Sequence, residues 1–324
     1  MDRLKRAALV VGVDYYTYLP KLKGCVADAQ AIATLLKTNF GGIRNFYVTE
    51  RTASSRRQSV GRSQLKRDVA NLFDNDNGIG IALFYFAGHG HVERGRAYIL
   101  SSDSRDGDDG FALADLMTIV NGSRVPNRIV ILDSCFAGGA GARPDAHWSE
   151  IAEGVTVLTA STARQFALAQ PDGGVFTRLL VHALEGGASD LLGYVTPGSA
   201  YACIDQSLGS WEQRPVFKTN VKSFVPLRKA APPIELSELL QLTEFFPDAD
   251  QEFPLDPSFE PSSATAVKAN KARFAILQNY VRVNLVVPVG AKHMYFAAMK
   301  SKSCKLTILG RHYHRLVSEG RIEG

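Results

Sequence analysis

Two short runs of apolar residues dominate the pattern of hydrophobic and polar positions along this chain. Residues 81–88 form one run, which stops at His89, and residues 128–132 carry a second run, which stops shortly before Cys135. An apolar run this short, bounded by turn residues, predicts a buried strand of a parallel sheet. Because functional groups gather at the carboxyl ends of such strands, the pattern brings a histidine and a cysteine to the same edge of one sheet.

The other apolar residues alternate between the spacing of strands and the spacing of helices. We expect further strands at residues 7–13, 45–48, 97–100 and 154–160, and helices at residues 25–36, 65–73, 113–120 and 176–184. This alternation predicts an α/β fold in which helices cover both faces of a mostly parallel sheet, which is a three-layer αβα sandwich.

Length, composition and cysteine usage exclude several classes of protein. The chain has 324 residues, of which 45% are hydrophobic and 21% are charged, as in ordinary globular proteins. Its first apolar stretch is too short to span a membrane and has no cleavage pattern, so we expect no membrane contact and a cytoplasmic location. The four scattered cysteines lack metal-ligand spacing and argue against a disulfide framework or a zinc site.

Charge is distributed unevenly behind a formal net charge of +5. Residues 235–262 contain eight acidic residues and no Lys or Arg, whereas residues 263–324 contain eleven Lys and Arg and two acidic residues. This shift predicts three parts, namely an α/β domain at residues 1–229, an acidic linker at residues 230–262 and a basic domain at residues 263–324.

The basic region has a pattern of its own. One helical face runs from Phe274 to Leu285, residues 294–299 and 304–306 predict a β-hairpin, and Thr307 can cap a last helix. Helix, hairpin and helix together resemble a winged-helix module. We therefore expect a small α+β domain that binds either DNA or a protein partner.

Four motifs carry the chemistry of the first domain. They are residues 8–14 (Ala-Leu-Val-Val-Gly-Val-Asp), 22–29 (Leu-Lys-Gly-Cys-Val-Ala-Asp-Ala), 85–90 (Tyr-Phe-Ala-Gly-His-Gly) and 132–135 (Leu-Asp-Ser-Cys). In this order, over residues 7–225, they resemble the caspase-like cysteine peptidases, and among these the metacaspase-type and bacterial members. The resemblance implies that Cys135 is the nucleophile and His89 its base, and that the backbone amides of Gly90 and Cys135 hold the oxyanion.

The resemblance also implies which peptide bond is cut. Metacaspase-type enzymes place acidic residues in the pocket for the P1 side chain, and the matching positions here are Asp28 and Asp133, with Cys25 at the pocket wall. Two carboxylates favour a basic P1 side chain, so we expect cleavage of protein or peptide substrates after Arg or Lys. Asp28 could instead serve only to support the start of its helix. Ala87 departs from the family pattern, since many metacaspases have serine there.

Several rival chemistries fit the sequence less closely. We interpret His91 as a surface or supporting histidine because no glycine follows it, as Gly90 follows His89. A phosphatase loop would need an arginine where the chain has Gly141. The acidic loop at residues 103–109 lacks the ligand spacing of an EF-hand, so we expect no metal or other cofactor, although some metacaspases are activated by calcium.

A cytosolic peptidase needs restraint, and we expect latency that an upstream protease or a sensor protein relieves. The Arg-rich segment at residues 51–62 and the loop containing Arg143 are candidate processing sites. Family analogy favours a bacterial defence or stress pathway. The alternative function is a non-catalytic caspase-like regulator that binds DNA or a partner through residues 263–324, but the presence of both Cys135 and His89 favours an enzyme.

Overall fold

The computed structural model describes residues 5–74, 78–134, 136–137, 151–160, 174–209 and 214–322, with backbone alone at 136 and 137. The chain divides into two compact units. The first contains Met1–Ser189 and Tyr194–Ala231, and the second contains Asp190–Gly193 and Pro232–Gly324.

The first unit alternates strands and helices along most of its length. Its strands are β1 (Lys5–Val13), β2 (Tyr47–Ala53), β3 (Ile79–Ala87), β4 (Gly90–Glu93), β5 (Arg96–Ile99), β6 (Phe111–Ala112), β7 (Asn127–Asp133), β8 (Phe136–Ala137), β9 (Val155–Thr159), β10 (Tyr194–Val195), β11 (Val216–Asn220) and β12 (Arg228–Lys229). Its helices are α1 (Cys25–Lys37), α2 (Arg62–Phe73), α3 (Leu113–Gly122), α4 (Val175–His182) and α5 (Pro197–Ser207). Within the described ranges, no helix of the chain is both long enough and apolar enough to cross a membrane.

A six-stranded sheet in the order β11-β9-β7-β3-β1-β2 forms the centre of the first unit. Neighbouring strands run parallel, except that β11 is antiparallel to β9. All residues of β3 are buried, which explains why its sequence is a continuous apolar run rather than an alternating one. The mostly parallel sheet predicted from the sequence is confirmed.

Alternate residues of each central strand face two different cores. Leu9 and Val11 of β1 pack in the core that contains α2 and α3, whereas Ala8 and Val10 pack in the core that contains α1, α4 and α5. This division follows from the two-residue period of a strand. It produces three layers, so the predicted αβα sandwich is confirmed.

A second, smaller sheet lies beyond the end of β3. It has the order β6-β5-β4-β8, with β4 antiparallel to β5 and parallel to β8. The sequence pattern predicted neither β4 nor β8, because both strands are short and polar residues interrupt β4. These two strands continue the chain directly beyond the two predicted functional segments.

The second unit is a small α+β structure. Its helices are α6 (Leu236–Leu240), α7 (Leu242–Phe245), α8 (Lys268–Arg282), α9 (Met294–Met299) and α10 (Ile308–Ser318). Its strands, β13 (Phe253–Pro254), β14 (Val286–Val289) and β15 (Ser303–Leu306), form a sheet in the order β13-β15-β14.

The acidic segment is part of this second unit, and the expected linker at residues 230–262 is corrected by the structure. Leu242, Phe245 and Phe253 of the segment are buried in one core with apolar residues of α8, α9 and β15. The acidic residues between them concealed this apolar pattern. Residues 263–324 are therefore not a separate domain, since the segment before them supplies part of their core.

The predicted hairpin at residues 294–306 is also wrong. Met294, Ala297 and Ala298 are buried at the spacing i, i+3 and i+4, which is typical of a helix, and they form α9. Strand β15 pairs antiparallel with β14 instead, so residues 300–302 link a helix to a strand. The winged-helix resemblance therefore loses the hairpin on which it rested.

Candidate active site

The carboxyl ends of three neighbouring strands meet at one edge of the central sheet. Gly12 of β1 is in register with Ala87 of β3, which is in register with Asp133 of β7. Asp14 follows β1 directly, and His89 follows β3 after one glycine. As expected for a parallel sheet, this edge gathers the polar residues of the first unit's motifs.

Cys135, the predicted nucleophile, lies outside the described residues, but the chain on each side of it is described. Before it, the carbonyl of Asp133 accepts a hydrogen bond from the amide of Gly88 at 3.3 Å. After it, Phe136 pairs with Gly90 in the parallel β4–β8 ladder. The segment around the predicted nucleophile therefore runs beside the segment around the predicted base.

His89 is half-buried and is held at both its backbone and its ring. Its amide donates to the hydroxyl of Tyr16 at 2.7 Å, and its carbonyl accepts from the amide of Leu100 at 2.9 Å. Its Nε2 lies 2.8 Å from the carbonyl oxygen of Pro20. Because a carbonyl oxygen only accepts, Nε2 carries the proton, and Nδ1 is the unprotonated nitrogen of the neutral ring. Burial lowers the pKa of His89 below its ordinary value, which favours that neutral ring.

Asp28 and Asp133 both meet the N-terminal end of α4. The hydroxyl of Thr177 donates to Oδ2 of Asp133 at 2.5 Å, and the amide of Gly174 donates to Oδ2 of Asp28 at 3.2 Å. The positive end of the helix dipole therefore faces both carboxylates. A Cβ atom at position 174 would lie 2.6 Å from Oδ2 of Asp133, so only glycine allows this close approach. The structure thus brings the two predicted pocket acids to one place.

The two carboxylates are costly to ionise where they lie. Burial, followed by the charge of Asp28, raises the pKa of Asp133 to about 6, although the hydroxyl and amide of Thr177 oppose the rise. Burial also raises the pKa of Asp28, against the opposing hydrogen bond from Gly174. A positive charge placed between these carboxylates would relieve their desolvation and their mutual repulsion. The pair of carboxylates therefore favours a cationic group over an anionic one at this place.

Cys25 stands at the start of α1, next to these acids. Its amide donates to Oδ1 of Asp14 at 2.9 Å. Burial, followed by the charges of Asp14, Asp133 and Asp28, raises the pKa of the Cys25 thiol above its ordinary value. A thiol held in its protonated form is a poor nucleophile. Cys25 is therefore an uncharged neighbour of the two acids rather than a second reactive sulfur.

Asp14, Tyr85 and Thr177 belong to the site, although the sequence analysis did not assign them to it. The charge of Asp14 contributes to the raised pKa of both Cys25 and Asp28. The hydroxyl of Tyr85 lies 2.6 Å from that of Thr177, which extends the hydrogen-bond chain from Asp133 into the buried core. A signal was present for two of them, since Asp14 ends the first motif and Tyr85 begins the third.

The rival residues lie in other environments. His91 is half-buried in β4 and faces Glu93 at 3.8 Å. In the acidic loop, the carboxylates of Asp103 and Asp109 accept hydrogen bonds from backbone amides at 2.9 and 2.8 Å. In the part of the chain that the structure describes, no group of three or more His, Cys, Asp or Glu residues could hold a metal ion. The expected lack of a cofactor and the alternative of calcium activation both stay predictions.

Sequence comparison places most of the first unit in a known family. A family model described as a caspase domain matches residues 5–223. Metacaspase-1 of Ajellomyces capsulatus is 28% identical over 152 residues, which cover 42% of this chain and 41% of that protein. Metacaspase-1 of Schizosaccharomyces pombe is 26% identical over 151 residues, which cover 42% of this chain and 35% of that protein. The chain thus covers about two fifths of the length of these relatives.

Solved structures share the fold of the first unit. Protein GSU0716 from Geobacter sulfurreducens aligns with a TM-score of 0.52 and 16% identity, covering 71% of this chain and 98% of that one. Caspase-1 from Spodoptera frugiperda aligns with a TM-score of 0.50 and 13% identity, covering 70% of this chain and 91% of that one. At such low identity the likeness concerns the fold alone.

Proposed function

Because the chain belongs to the caspase domain family, we propose that it is a cysteine endopeptidase that cleaves proteins or peptides after Arg or Lys. The observation that carries the proposal is the pair of half-buried carboxylates, Asp28 and Asp133, at the sheet edge where His89 also lies. In this proposal the negatively charged pocket recognises the substrate, and the neutral imidazole of His89 at the same edge is the base.

In the proposed reaction, Cys135 and His89 act as a dyad. The unprotonated Nδ1 of His89 takes the proton of the thiol while the sulfur attacks the scissile carbonyl. His89 then gives this proton to the leaving amine as the peptide C–N bond breaks, and a thioester remains on Cys135. Water, deprotonated by the same imidazole, hydrolyses the thioester and restores the thiol. The carbonyl of Pro20 supports this cycle because its hydrogen bond with Nε2 favours the required tautomer.

Negative charge develops on the scissile oxygen when the sulfur attacks it. We assign its stabilisation to the backbone amides of Gly90 and Cys135, as the family resemblance implies. What supports this assignment is the position of Gly90, which begins β4 directly after His89 and pairs with Phe136, the residue that follows Cys135.

Specificity for a basic P1 side chain follows from the charge of the pocket. An arginine or lysine would separate the two carboxylates and lower the cost of ionising them, whereas a P1 aspartate would add a third negative charge. Ala87, in register with Asp133, is small and buried and offers no hydroxyl to the P1 group. In this chain the carboxylates and the wall at Cys25 must therefore determine the choice of P1.

Latency and activation are part of the proposal. In the Arg-rich segment, Arg51 is held in β2 by an ion pair, whereas Arg56 and Arg57 are exposed in the loop before α2. An exposed loop with two basic residues suits a protease that cleaves after Arg, including a second copy of this enzyme. Arg143, the other candidate, lies outside the described residues. The activating partner, the cytoplasmic location and the role in bacterial defence stay predictions.

Binding of DNA or of a protein partner by the second unit also stays a prediction. Because the acidic segment and the basic tail share one core, removal of residues 263–324 would expose that core. The alternative is better tested by exchanging the exposed Lys305 and Arg315 for glutamate. Salt-sensitive retention of DNA by the full chain, lost in this variant, would favour a nucleic-acid partner.

The proposal is tested by mapping the cut sites in a denatured protein mixture. New N-termini produced by the full chain and by its Cys135→Ala variant are identified by mass spectrometry. We expect Arg or Lys before almost every cut made by the wild type and no cuts from the variant. Cuts after Asp, or cuts that persist without Cys135, would contradict the proposed specificity or the proposed nucleophile, respectively.

A further inference from the structure

Tyr16 is buried next to His89, in the loop that joins β1 to α1. Its side chain is 2% exposed. The centroids of the Tyr16 and His89 rings are 4.6 Å apart, with the ring planes inclined by 49°. The phenol therefore packs against the imidazole and also reaches past it to the main chain.

The hydroxyl of Tyr16 contacts the residue directly before β4 and the residue directly after β5. It accepts the amide proton of His89 at 2.7 Å, and it lies 3.5 Å from the carbonyl oxygen of Leu100, to which it can donate. Leu100 in turn donates its amide to the carbonyl of His89 at 2.9 Å. The hydroxyl thus completes a ring of hydrogen bonds around the backbone of His89.

Space for this hydroxyl depends on the glycine before His89. A Cβ atom at Gly88 would lie 2.7 Å from the Tyr16 oxygen and 2.9 Å from Cζ of Phe86. Any larger residue there would displace the phenol. Burial also raises the pKa of Tyr16 well above its ordinary value, so its hydroxyl keeps the proton that it offers to Leu100.

The same loop holds the imidazole through a second contact. Pro20, four residues after Tyr16, supplies the carbonyl that binds Nε2 of His89 at 2.8 Å. The loop itself is tied to the rest of the first unit, since the amide of Thr17 donates to the carbonyl of Ser102 at 2.9 Å. Within the described residues, Nδ1 is the one hydrogen-bonding atom of His89 without a partner. The loop therefore fixes His89 in a way that leaves Nδ1 available.

We propose that Tyr16 is a positioning residue for His89, which holds the imidazole and the His89–Gly90 backbone in the geometry that the reaction needs. This role rests on the proposed peptidase function. Tyr16 touches neither the substrate nor the sulfur in the proposed reaction, and it acts only through His89. Since small misplacements of a catalytic group cost large factors in rate, loss of the hydroxyl affects the chemical step more than substrate binding.

Tyr16→Phe keeps the ring and removes the hydrogen bonds, so it is the informative substitution. Two control variants each remove a tyrosine hydroxyl that does not contact His89. Tyr280→Phe removes a buried hydroxyl that donates to the carbonyl of Glu238 in the second unit. Tyr15→Phe removes a hydroxyl from the same loop as Tyr16, at a half-buried residue.

The variants are compared on the peptide that the wild type cleaves best. Active sites are titrated with a thiol-reactive ketone that carries the same peptide, so that rates are divided by the concentration of folded, reactive enzyme. We expect Tyr16→Phe to lower kcat per titrated site about tenfold with KM changed less than twofold, and both controls to keep the wild-type kcat. Amide hydrogen exchange at His89 should also become faster in Tyr16→Phe alone.

The outcomes separate this inference from the proposed function. A wild-type kcat per titrated site in Tyr16→Phe, or a raised KM with kcat unchanged, would overturn the positioning role and leave the peptidase intact. A wild-type chain that cleaves no peptide and does not react with the ketone at Cys135, both before and after limited cleavage by trypsin, would overturn the proposed function, and the positioning role would fall with it.

Discussion

The hydroxyl of Thr177 donates to the carboxylate of Asp133 at 2.5 Å, and this contact joins a helix end to a strand end at the pocket. Thr177 lies in the first turn of α4, and Asp133 ends β7. The same hydroxyl lies 2.6 Å from the buried phenol of Tyr85. Asp133 is thus held in one orientation by a neutral partner, which does not cancel its charge. A carboxylate fixed in this way keeps its charge available for a bound cation.

Replacing Asp133 with asparagine separates the charge of the pocket from its shape. We expect kcat/KM for an Arg-P1 peptide to fall roughly 30-fold, which corresponds to about 2 kcal/mol for the loss of one charged contact. The matched peptide with citrulline, which is the neutral analogue of arginine, should change less than threefold. The control variant Asp115→Asn removes an exposed acid that pairs with Lys66 at 3.1 Å. Equal losses for the two peptides would contradict a charge-based pocket.

The same variant should be more stable than the wild type at neutral pH. The pKa of Asp133 is raised to about 6 in the folded chain, whereas it is about 4 in an unfolded chain. The folded state therefore binds more protons over this interval, and the wild type loses stability as the pH rises from about 4 to 6. Asparagine removes that loss. Thermal unfolding at pH 7 and pH 4 should show the larger gain in Tm at pH 7, and the opposite order would contradict the raised pKa.

Substrate preference should depend on pH through Asp133. We expect the ratio of kcat/KM for Arg-P1 and citrulline-P1 peptides to fall as the pH is lowered through about 6, because protonation of Asp133 removes the charge that arginine needs. The ratio cancels the titration of His89, since both peptides use the same base. It is measured from pH 5 to pH 8. A constant ratio over this range would show that Asp133 does not titrate there or does not contact P1.

Thr177→Val tests whether the hydroxyl of Thr177 orients the carboxylate of Asp133. Valine has the shape of threonine without the hydroxyl, so the pKa of Asp133 should rise further and the pH midpoint of the peptide ratio should move above 6. At pH 7 we expect a threefold to tenfold lower kcat/KM for Arg-P1 and a stability loss of roughly 1 kcal/mol. Thr118→Val removes an exposed hydroxyl that bonds within α3, and it should change neither the pH midpoint nor kcat/KM. If the pH midpoint of the peptide ratio does not move in Thr177→Val, then Thr177 does not orient Asp133.

Thiol reactivity should distinguish Cys135 from the other cysteines. Burial is the main cause of the raised pKa of both Cys25 and Cys304, and it brings that of Cys304 to about 12, so neither thiol ionises readily. We expect iodoacetamide at pH 7 to modify Cys135 first, as followed by mass spectrometry of the peptides. His89→Gln should slow this reaction without changing the rate at Cys203, which serves as the internal reference. Faster labelling of Cys25 would contradict its role as an inert wall.

Much of the first unit could be predicted because its buried strands are continuous runs of apolar residues in the sequence. The all-buried β3 reads as one apolar run, and its end beside Asp133 follows from parallel pairing alone. The contribution of Thr177 could not be predicted in this way, since it lies 44 residues from Asp133 in the chain. A hydrogen bond over that distance depends on how α4 packs, which no local pattern specifies. The hydrogen bond between Tyr16 and His89 could not be predicted for the same reason.

The second unit shows where local patterns mislead. The acidic residues of the segment before α8 predicted a linker, but Phe245 and Phe253 between them fill the core. Residues 294–299 are nearly all apolar, so they fitted a strand as well as a helix. Only the burial of Met294, Ala297 and Ala298 on one side shows that the segment is a helix. Composition averaged over a segment hides which of its residues meet a core.

The central claim joins a nucleophile to an acidic pocket, and one kinetic panel tests both. Peptides that differ only at P1, with Arg, Lys, citrulline or Asp, are offered to the full chain and to Cys135→Ala at pH 7.5. We predict turnover of the Arg and Lys peptides at least 30-fold faster than of citrulline, none of the Asp peptide, and none at all in Cys135→Ala. Equal or faster turnover of the Asp peptide, or turnover that survives in Cys135→Ala, would contradict the account.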